Sequence, residues 1–450
     1  MKALIVVGLG YGDEGKGSIV EYLADKHNSS LVVRFNGGPQ AAHNVVDNDG
    51  THHTFSQFGS ASLLGAHTFL SQQVYVDPGA LLNEAEHLDE LGCAAPFRRL
   101  WVHKKCPLIT PYHKVINQLK EVHGKHGSCG IGYGEAVADI LKYGHYVVPV
   151  VADLRHPGRL REKLHALRER KLPIIQDLLL KEAREKLDEA HLIDKIMNRW
   201  EPFLGPEGCL QIVDSEFLPS RTDEHPVIFE GAQGALLHEG YGWAPHVTWS
   251  DPSAVNAHHI LNDAEFEGRR EVIGVTRTYH TRHGAGPFVS EVKEPIYVDK
   301  HNGDDGWQGY FRTGLLDLVA LRYGVAVSRC DQIAMTHMDV VTADLRVVSS
   351  YDVPAEHHHH FDRSGKTAGF DQIKFHTGMN FLEQEPLTRA MFAAKPIITN
   401  AAAHLSETRV RERAMGWFED ALIEAVEQEV GRKVTLASWG PTRRDKRVIL

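Results

Sequence analysis

The tightest constraint on this chain lies at its start. An apolar run, Ala3-Leu-Ile-Val-Val7, leads into Gly8-Leu-Gly-Tyr-Gly-Asp-Glu-Gly-Lys-Gly17 and then into Ser18-Ile-Val-Glu-Tyr-Leu-Ala24. An unbroken apolar run of this kind reads as a strand buried on both faces, as in a parallel sheet. The glycines allow a sharp turn, and a helix follows. Gly10-Tyr-Gly-Asp-Glu-Gly-Lys16 fits the first part of the pattern G-x-x-x-x-G-K. Such a loop wraps a phosphate in backbone N–H groups and adds the helix N-terminus and the lysine charge. Two departures matter. The hydroxyl residue expected after the lysine is Gly17, with Ser18 one place late, and a carboxylate, Asp13, sits inside the loop. A carboxylate beside phosphates repels them unless a metal bridges the two or it acts as a base on something else.

Strand-like runs recur at Leu31-Val-Val33, Val227-Ile-Phe229, Val272-Ile-Gly-Val275, Gln332-Ile-Ala-Met335 and Lys433–Leu436. Charged amphipathic helices are expected over about 155–200, and a last long helix near Arg409–Val430. This alternation predicts an α/β fold, a large mainly parallel central sheet with flanking helices. No internal repeat and no long Gly/Ser linker interrupts the chain, so residues 1–450 are expected to form a single domain with helical and C-terminal elaborations. A hydrophobic fraction of 42% with 24% charged residues can bury a core and excludes disorder, collagen and coiled coil. Lys plus Arg is 49 against 59 for Asp plus Glu, a net charge of −10, so no basic excess argues for a nucleic-acid partner. The apolar runs are too short to span a bilayer, and Met1-Lys2 passes straight into the first strand without signal-peptide anatomy. A cytoplasmic protein with neither nucleic-acid nor membrane partner is expected. The five cysteines are scattered without a C-x-x-C pair, which is neither a disulfide scaffold nor a zinc ribbon. Among 29 histidines, the run His357–His360 reads as a solvated loop tract, with stray transition-metal binding as the alternative.

Further segments fall in a recognisable order. Gly12-Asp-Glu-Gly-Lys-Gly17 is followed by Gly37-Gly-Pro-Gln-Ala-Ala-His43, Phe229-Glu-Gly-Ala-Gln-Gly-Ala-Leu-Leu237 and Thr281-Arg-His-Gly-Ala-Gly-Pro-Phe288. Leu316-Asp-Leu-Val-Ala-Leu-Arg322, Thr336-His-Met-Asp339 and Ser438-Trp-Gly-Pro441 complete the series. Together they resemble the adenylosuccinate synthetase family, the GTP-dependent ligases of purine synthesis, with the expected P-loop-like GTP-binding fold. The resemblance implies two steps. The γ-phosphate of GTP moves to the 6-oxygen of a purine nucleotide, normally IMP, and the amine of an amino acid, normally aspartate, then displaces it. It also implies roles. Asp13 would take the N1 proton and ligate Mg²⁺, and His43 would donate to the phosphate in transfer. Gly12, Gly15, Lys16, Gly17 and Ser18 would cradle the GTP phosphates, with Arg312 also touching GTP. The carbonyl of Ala42 would be a second magnesium ligand. Asp339 would accept from guanine N1 and N2, donors that adenine does not present there. His337, Met338, Ser438, Trp439 and Gly440 would lie beside it. Gln40, Ala41, Ala42, Gln233 and Thr248 would contact the purine substrate. A homodimer is expected. Taken singly, each has a plainer reading: Asp13 as a helix-initiating carboxylate, His43 as structural, Asp339 as a turn cap, Gln233 and Thr248 as satisfied buried polar groups.

The departures from the family pattern fall on the substrate side. Where a typical member has T-G-R-G-I-G-P for the nucleotide phosphate, this chain has Gly127-Ser-Cys-Gly-Ile-Gly-Tyr133. The arginine that a neighbouring subunit would contribute has no clear counterpart in Asp139–His145. The amino-acid loop, normally threonines and an arginine run, is Gly306-Trp-Gln-Gly-Tyr-Phe-Arg312, preceded by Asp304-Asp305. Losing planar bidentate donors weakens a carboxylate site. The second loop has Gln40 for asparagine and Ala42 for glycine, and the guanine site has His337 for lysine. The expectation is retained chemistry on altered substrates: a modified purine nucleotide or a nucleoside lacking the 5′-phosphate, and an amine other than aspartate. The alternatives are an ordinary adenylosuccinate synthetase in which Lys142, Arg277 or Arg282 substitutes, a GTP-binding switch, and a non-catalytic homologue serving as sensor or subunit.

Overall fold

The computed structural model describes residues 2–124, 127–178, 191–218, 225–297, 307–342, 344, 346–375, 381–401 and 417–449. The strands, in chain order, are β1 (Lys2–Gly8), β2 (Leu31–Arg34), β3 (His43–Val46), β4 (His52–Phe55), β5 (His67–Leu70), β6 (Leu100–His103), β7 (Gln211–Val213), β8 (Val227–Glu230) and β9 (Arg269–Arg277). They continue with β10 (Tyr279–His283), β11 (Phe311–Asp317), β12 (Gln332–Thr336), β13 (Arg346–Asp352), β14 (Phe361–Asp362), β15 (Gln372–Ile373), β16 (Lys395–Asn400), β17 (Lys433–Ser438) and β18 (Lys446–Val448).

Ten of them form one sheet in the order β18-β17-β12-β9-β1-β8-β2-β5-β6-β7. Every pairing in it is parallel except that of β17 with β18. β1 lies inside this sheet and is buried almost throughout, as its unbroken apolar run requires. One face packs against the helices Val255–Asp263, Leu318–Ser328 and Trp417–Val430, the other against helix Lys16–His27. A second apolar cluster gathers the helices Pro78–Glu90, Pro111–Gly124, Pro157–Leu178 and Leu192–Arg199. A smaller sheet, β10-β11-β13-β16, carries a third cluster.

The chain leaves β1 for β2 by stepping over β8, and leaves β8 for β9 by stepping over β1. Neighbouring connections therefore diverge at the C-terminal ends of β1, β8 and β9. That is the crevice where open α/β sheets bind ligands.

Two local expectations change. The helix predicted near Arg409–Val430 is described only over Trp417–Val430, and residues 409–416 lie outside the described residues. The His357–His360 run lies in a 3-10 turn, Ala355–His360, with His358 and His359 exposed, as expected of a solvated tract; His360 departs from it by being buried, and His358 Nε2 lies 2.9 Å from the Val353 carbonyl. Among the described residues, no group of His, Cys, Asp and Glu is arranged to hold a metal by itself, and no helix is long and apolar enough to cross a membrane.

Candidate active site

The glycine loop joins β1 to the helix Lys16–His27, with Gly15 as its left-handed N-cap. Gly12, Asp13 and Gly15 have φ of 96°, 60° and 90°. Asp tolerates this region better than most side chains because it can hydrogen-bond locally. Glu14, next to it, turns inward. Its Oε1 accepts from the Gly10 and Gly12 N–H groups at 3.0 and 2.9 Å, and its Oε2 takes the Lys16 ammonium at 2.6 Å. Both side chains are buried. An internal carboxylate thus occupies the donors that the sequence assigns to phosphate. Gly17 has a packing reason: a Cβ there would come within 2.7 Å of His43 Cβ and 3.0 Å of Ser60 Oγ. Ser18 bonds back to the Gly15 carbonyl at 3.1 Å.

Asp13 faces His283 at the end of β10, with 3.3 Å between Oδ2 and Nε2, and its carbonyl accepts from Arg277. Burial raises the Asp13 carboxyl, but the hydrogen bond and charge of His283, with Arg277 and Lys16, outweigh that and hold it at about 2. It is an ionised acceptor at neutral pH.

His43 opens β3 and is buried. Its Nδ1 lies 2.5 Å from Glu230 Oε1, at the end of β8. Glu230 also accepts from the Ser60 N–H at 2.9 Å and from the Ser60 hydroxyl, and stands opposite Arg34 of β2. Burial pulls the Glu230 carboxyl up, but Arg34, then His43 and Ser60, outweigh it and hold it at about 2. Burial pushes His43 below the ordinary imidazole range against the pull of Glu230. With Nδ1 committed to the carboxylate, Nε2 is the nitrogen left for a reactant. Lys16 acts electrostatically on both Asp13 and His43, so the loop, the helix start and β3 converge.

The second loop brings Gln40 towards the segment after β8. A Cβ on Gly37 would lie 3.4 Å from Gln40 Nε2 and 3.5 Å from Gln233 Nε2. Gln233 has a left-handed φ of 62°, and Gly234 packs so closely that a Cβ would sit 2.3 Å from the Gly10 carbonyl. Both polar atoms of the Gln40 amide, and Oε1 of Gln233, are buried without a hydrogen-bond partner. Unpaired buried amides are costly, and two side by side mark a place for a polar ligand. Ala41 is buried and Ala42 exposed. Thr248 holds the Leu237 carbonyl through its N–H at 2.8 Å. Asn36, just before the second loop, ties Ala232 and Ser250 together.

At the ends of β12 and β17, paired in parallel, the segments Thr336–Asp339 and Ser438–Gly440 lie side by side. β9 alone separates β12 from β1, so the ends of β12 and β17 stand about 10 Å and about 14 Å from the end of β1 across the sheet. That span suits a nucleotide with its phosphates on one side and its base on the other. Thr336 bridges them by donating to the Glu14 carbonyl at 2.7 Å. His337 takes a left-handed turn, Met338 is buried, and Asp339 is exposed. Ser438 donates to the Gly440 carbonyl at 2.8 Å, and Trp439 carries the Arg447 guanidinium 4.9 Å from its ring centre. Lys446 sits beneath this loop and donates to the carbonyls of Gly440, Pro441 and Thr442 at 3.2, 2.9 and 2.8 Å.

Arg312 lies on β11 opposite Arg282, beside the strand position of His283. It pairs with Glu291 at 2.9 Å and donates to the Gly286 carbonyl at 2.8 Å. Asp304, Asp305 and Gly306 lie outside the described residues. Glu14, Glu230, His283 and Lys446 were missed as site residues. Glu230 and His283 stand inside quoted family segments, but their partners are remote in sequence.

Mg²⁺ suits the donors present. The ionised Asp13 carboxylate and the carbonyl of exposed Ala42 are hard oxygens, and this ion commonly takes one or two from protein and the rest from water and phosphates.

The profile described as adenylosuccinate synthetase matches residues 5–447. Among curated relatives, the adenylosuccinate synthetase of Pelodictyon phaeoclathratiforme is 32% identical over 382 residues, covering 81% of this chain and 83% of that protein. That of Francisella tularensis subsp. novicida is 28% identical over 461 aligned residues, covering 98% and 97%. Among solved structures, the fully ligated adenylosuccinate synthetase from Plasmodium falciparum has a TM-score of 0.76 at 19% identity, over 100% of both chains. The cyanophage S-2L succinoaminodeoxyadenylate synthetase bound to dGMP and dATP has a TM-score of 0.57 at 17% identity, over 99% and 95%. The profile match over nearly the whole length, together with the Pelodictyon relative, shows that this chain belongs to the adenylosuccinate synthetase family of carbon–nitrogen ligases.

Proposed function

We propose that this ligase uses GTP and Mg²⁺ to phosphorylate the 6-oxygen of a purine and then lets an amine displace the phosphate, releasing GDP and inorganic phosphate. The carrying observation is the pair of buried, unsatisfied amides, Gln40 and Gln233, in the crevice beside Asp13 and the His43–Glu230 pair. A flat heterocycle rich in donors and acceptors would satisfy them. Asp13, ionised, is suited to accept the N1 proton, which makes O6 nucleophilic. His43, oriented by Glu230, is suited to stabilise the charge on the phosphoryl group in transfer. Bound Mg²⁺, held by Asp13 and Ala42, would supply neutralising charge to the phosphates. The exposed Asp339 carboxylate and the Ser438–Gly440 loop suit a guanine base. Residues 1–450 act as one unit, a reading supported by the first and last strands sharing a sheet.

The substrates are an altered pair. Arg312 is engaged with Glu291, and the segment beside it presents exposed Trp307 and Tyr310 instead of arginines, a poor setting for a dicarboxylate. The cyanophage neighbour was solved with dGMP and dATP, so a related fold accommodates another purine nucleotide and another energy donor. Ordinary IMP and aspartate are the second reading, favoured by the names of the curated relatives. Steady-state release of inorganic phosphate with GTP and Mg²⁺, run with IMP plus aspartate and then across oxopurine and amine panels, tests this. Efficient turnover of IMP with aspartate would overturn the altered-substrate reading, and hydrolysis that no acceptor stimulates would overturn the ligase mechanism.

A further inference from the structure

We infer that the acceptor is held by its uncharged sugar, so that a purine nucleoside with a free 5′-hydroxyl is preferred over its 5′-monophosphate. This rests on the proposed 6-oxygen chemistry and specifies its substrate. A cavity of about 290 Å³ opens beside the crevice, bounded by Asn36 before the second loop, Tyr133 after the glycine-rich segment 127–132, and Trp249–Asp251 after Thr248. They adjoin the segment Gly127–Tyr133, where the family resemblance expects the nucleotide phosphate, and Thr248, where it expects a contact to the purine substrate.

The cavity suits no dianion. Among the described residues its lining includes the carboxylates of Glu239 and Asp251 and no lysine or arginine. Burial raises Asp251, but the hydrogen bond and charge of His238, with Ser253, outweigh it and keep it ionised. The basic lining residue, His145, is pushed below the ordinary imidazole range by burial and by Lys105, so it is neutral at pH 7.

Segment 127–132 has its first and last backbone donors engaged within the protein. Its Gly127 N–H is taken by buried Glu121 at 2.8 Å, and its Gly132 N–H by Asn117 at 3.0 Å. Two of the segment's backbone donors are therefore spent, one of them on another carboxylate. Gly127 packs too tightly to regain a side chain: a Cβ would lie 3.2 Å from the Gln308 carbonyl and 3.3 Å from Gly284 Cα. The three cations that the sequence offers as substitutes are engaged elsewhere. Lys142 lies over the Tyr143 ring, Arg277 on the Asp13 carbonyl, and Arg282 on the carbonyls of Ala285, Pro287 and His246. Carboxylates accept from sugar hydroxyls, and Tyr133 and Trp249 offer apolar faces to the ring.

Calorimetry in the presence of Mg²⁺ and GDP compares inosine and guanosine with IMP and GMP. In parallel, GTP labelled with ¹⁸O at the β,γ-bridge is followed for positional isotope exchange, which reports reversible phosphoryl transfer to the acceptor without any amine. The expected result is nucleoside binding at least tenfold tighter than its monophosphate, with exchange driven by the nucleoside. Glu239→Lys should reverse or abolish that preference while the exchange itself survives. Tighter binding of the monophosphate, with exchange, overturns this inference and leaves the 6-oxygen chemistry standing. A nucleoside preference that Glu239→Lys and Asp251→Asn both leave unchanged overturns the assigned cause. Absence of exchange with every purine overturns both readings.

Discussion

Asp13→Asn keeps the size of the side chain and removes the charge that would receive the N1 proton. His43→Asn removes the ring nitrogen that faces the reactant. Each change is expected to lower kcat by about 10²- to 10⁴-fold while calorimetric GDP affinity measured without Mg²⁺ stays within a few-fold of wild type. Full turnover in both would refute the assigned roles. Glu230→Gln separates orientation from contact. It retains the shape, loses the charge that fixes the imidazole, and should lower kcat by about 10- to 10³-fold at nearly constant KM. Asp13 and Lys16 were legible in the sequence because a glycine loop between a strand and a helix is a local pattern. Glu230 was not, because it lies 187 residues from His43, and His283 was not, because the Asp13 contact crosses from one sheet to the other. Glu14 was overlooked for a different reason. Nothing in the spelling of the loop says which of two adjacent carboxylates turns inward.

At the scale of elements, the start of helix Lys16–His27 and the loop after β17 carry most of the constraint. Gly17→Ser would restore the usual phosphate-loop spelling, yet its side chain would collide with His43. Overpacking of this kind costs about 1–3 kcal/mol, so a lower melting temperature and a weakened kcat are expected, not improved metal binding. The 438–442 loop depends on Lys446. Burial, against the pull of Glu21 and Asp445 and with the push of Arg443, lowers its ammonium to about 8. Below that pH the ammonium has a hydrogen for each of the three carbonyls it holds; above it one is lost. KM for GTP should therefore rise as pH passes 8, and Lys446→Met should raise it about tenfold at pH 7 and flatten the dependence. Stability moves the other way. A depressed folded pKa means the unfolded chain binds more protons between 8 and 10.5, so this group favours the fold as pH rises through that window. A loss of melting temperature parallel to the KM change in wild type would point to general unfolding instead. The strands were legible in kind, while their ends were set by loop geometry: Lys433–Leu436 was expected, and β17 runs on to Ser438.

In the whole molecule, helix Tyr133–Tyr143 and the turn after it leave Leu141 and Tyr146 72% and 97% exposed, next in sequence to Ile140 and His145, which line the 290 Å³ cavity. The expected homodimer would cover such residues, and sedimentation at micromolar concentration measures it. Leu141→Asp with Tyr146→Asp should shift a dimer to monomer; a wild-type monomer would refute the expectation. Taken alone, the sequence determined the α/β class, the strand–glycine loop–helix at its start and the order of the family segments, since hydrophobic period and glycine spacing are written in neighbouring residues. Tertiary structure alone decided that the ends of β1, β2, β8, β9, β12 and β17 open on one edge, because pairing in a parallel sheet joins residues hundreds of positions apart. It also decided the charge of the cavity beside the crevice. Whether a loop's N–H groups await a phosphate or are already spent depends on which distant side chain reaches them, and here Glu121 and Asn117 do.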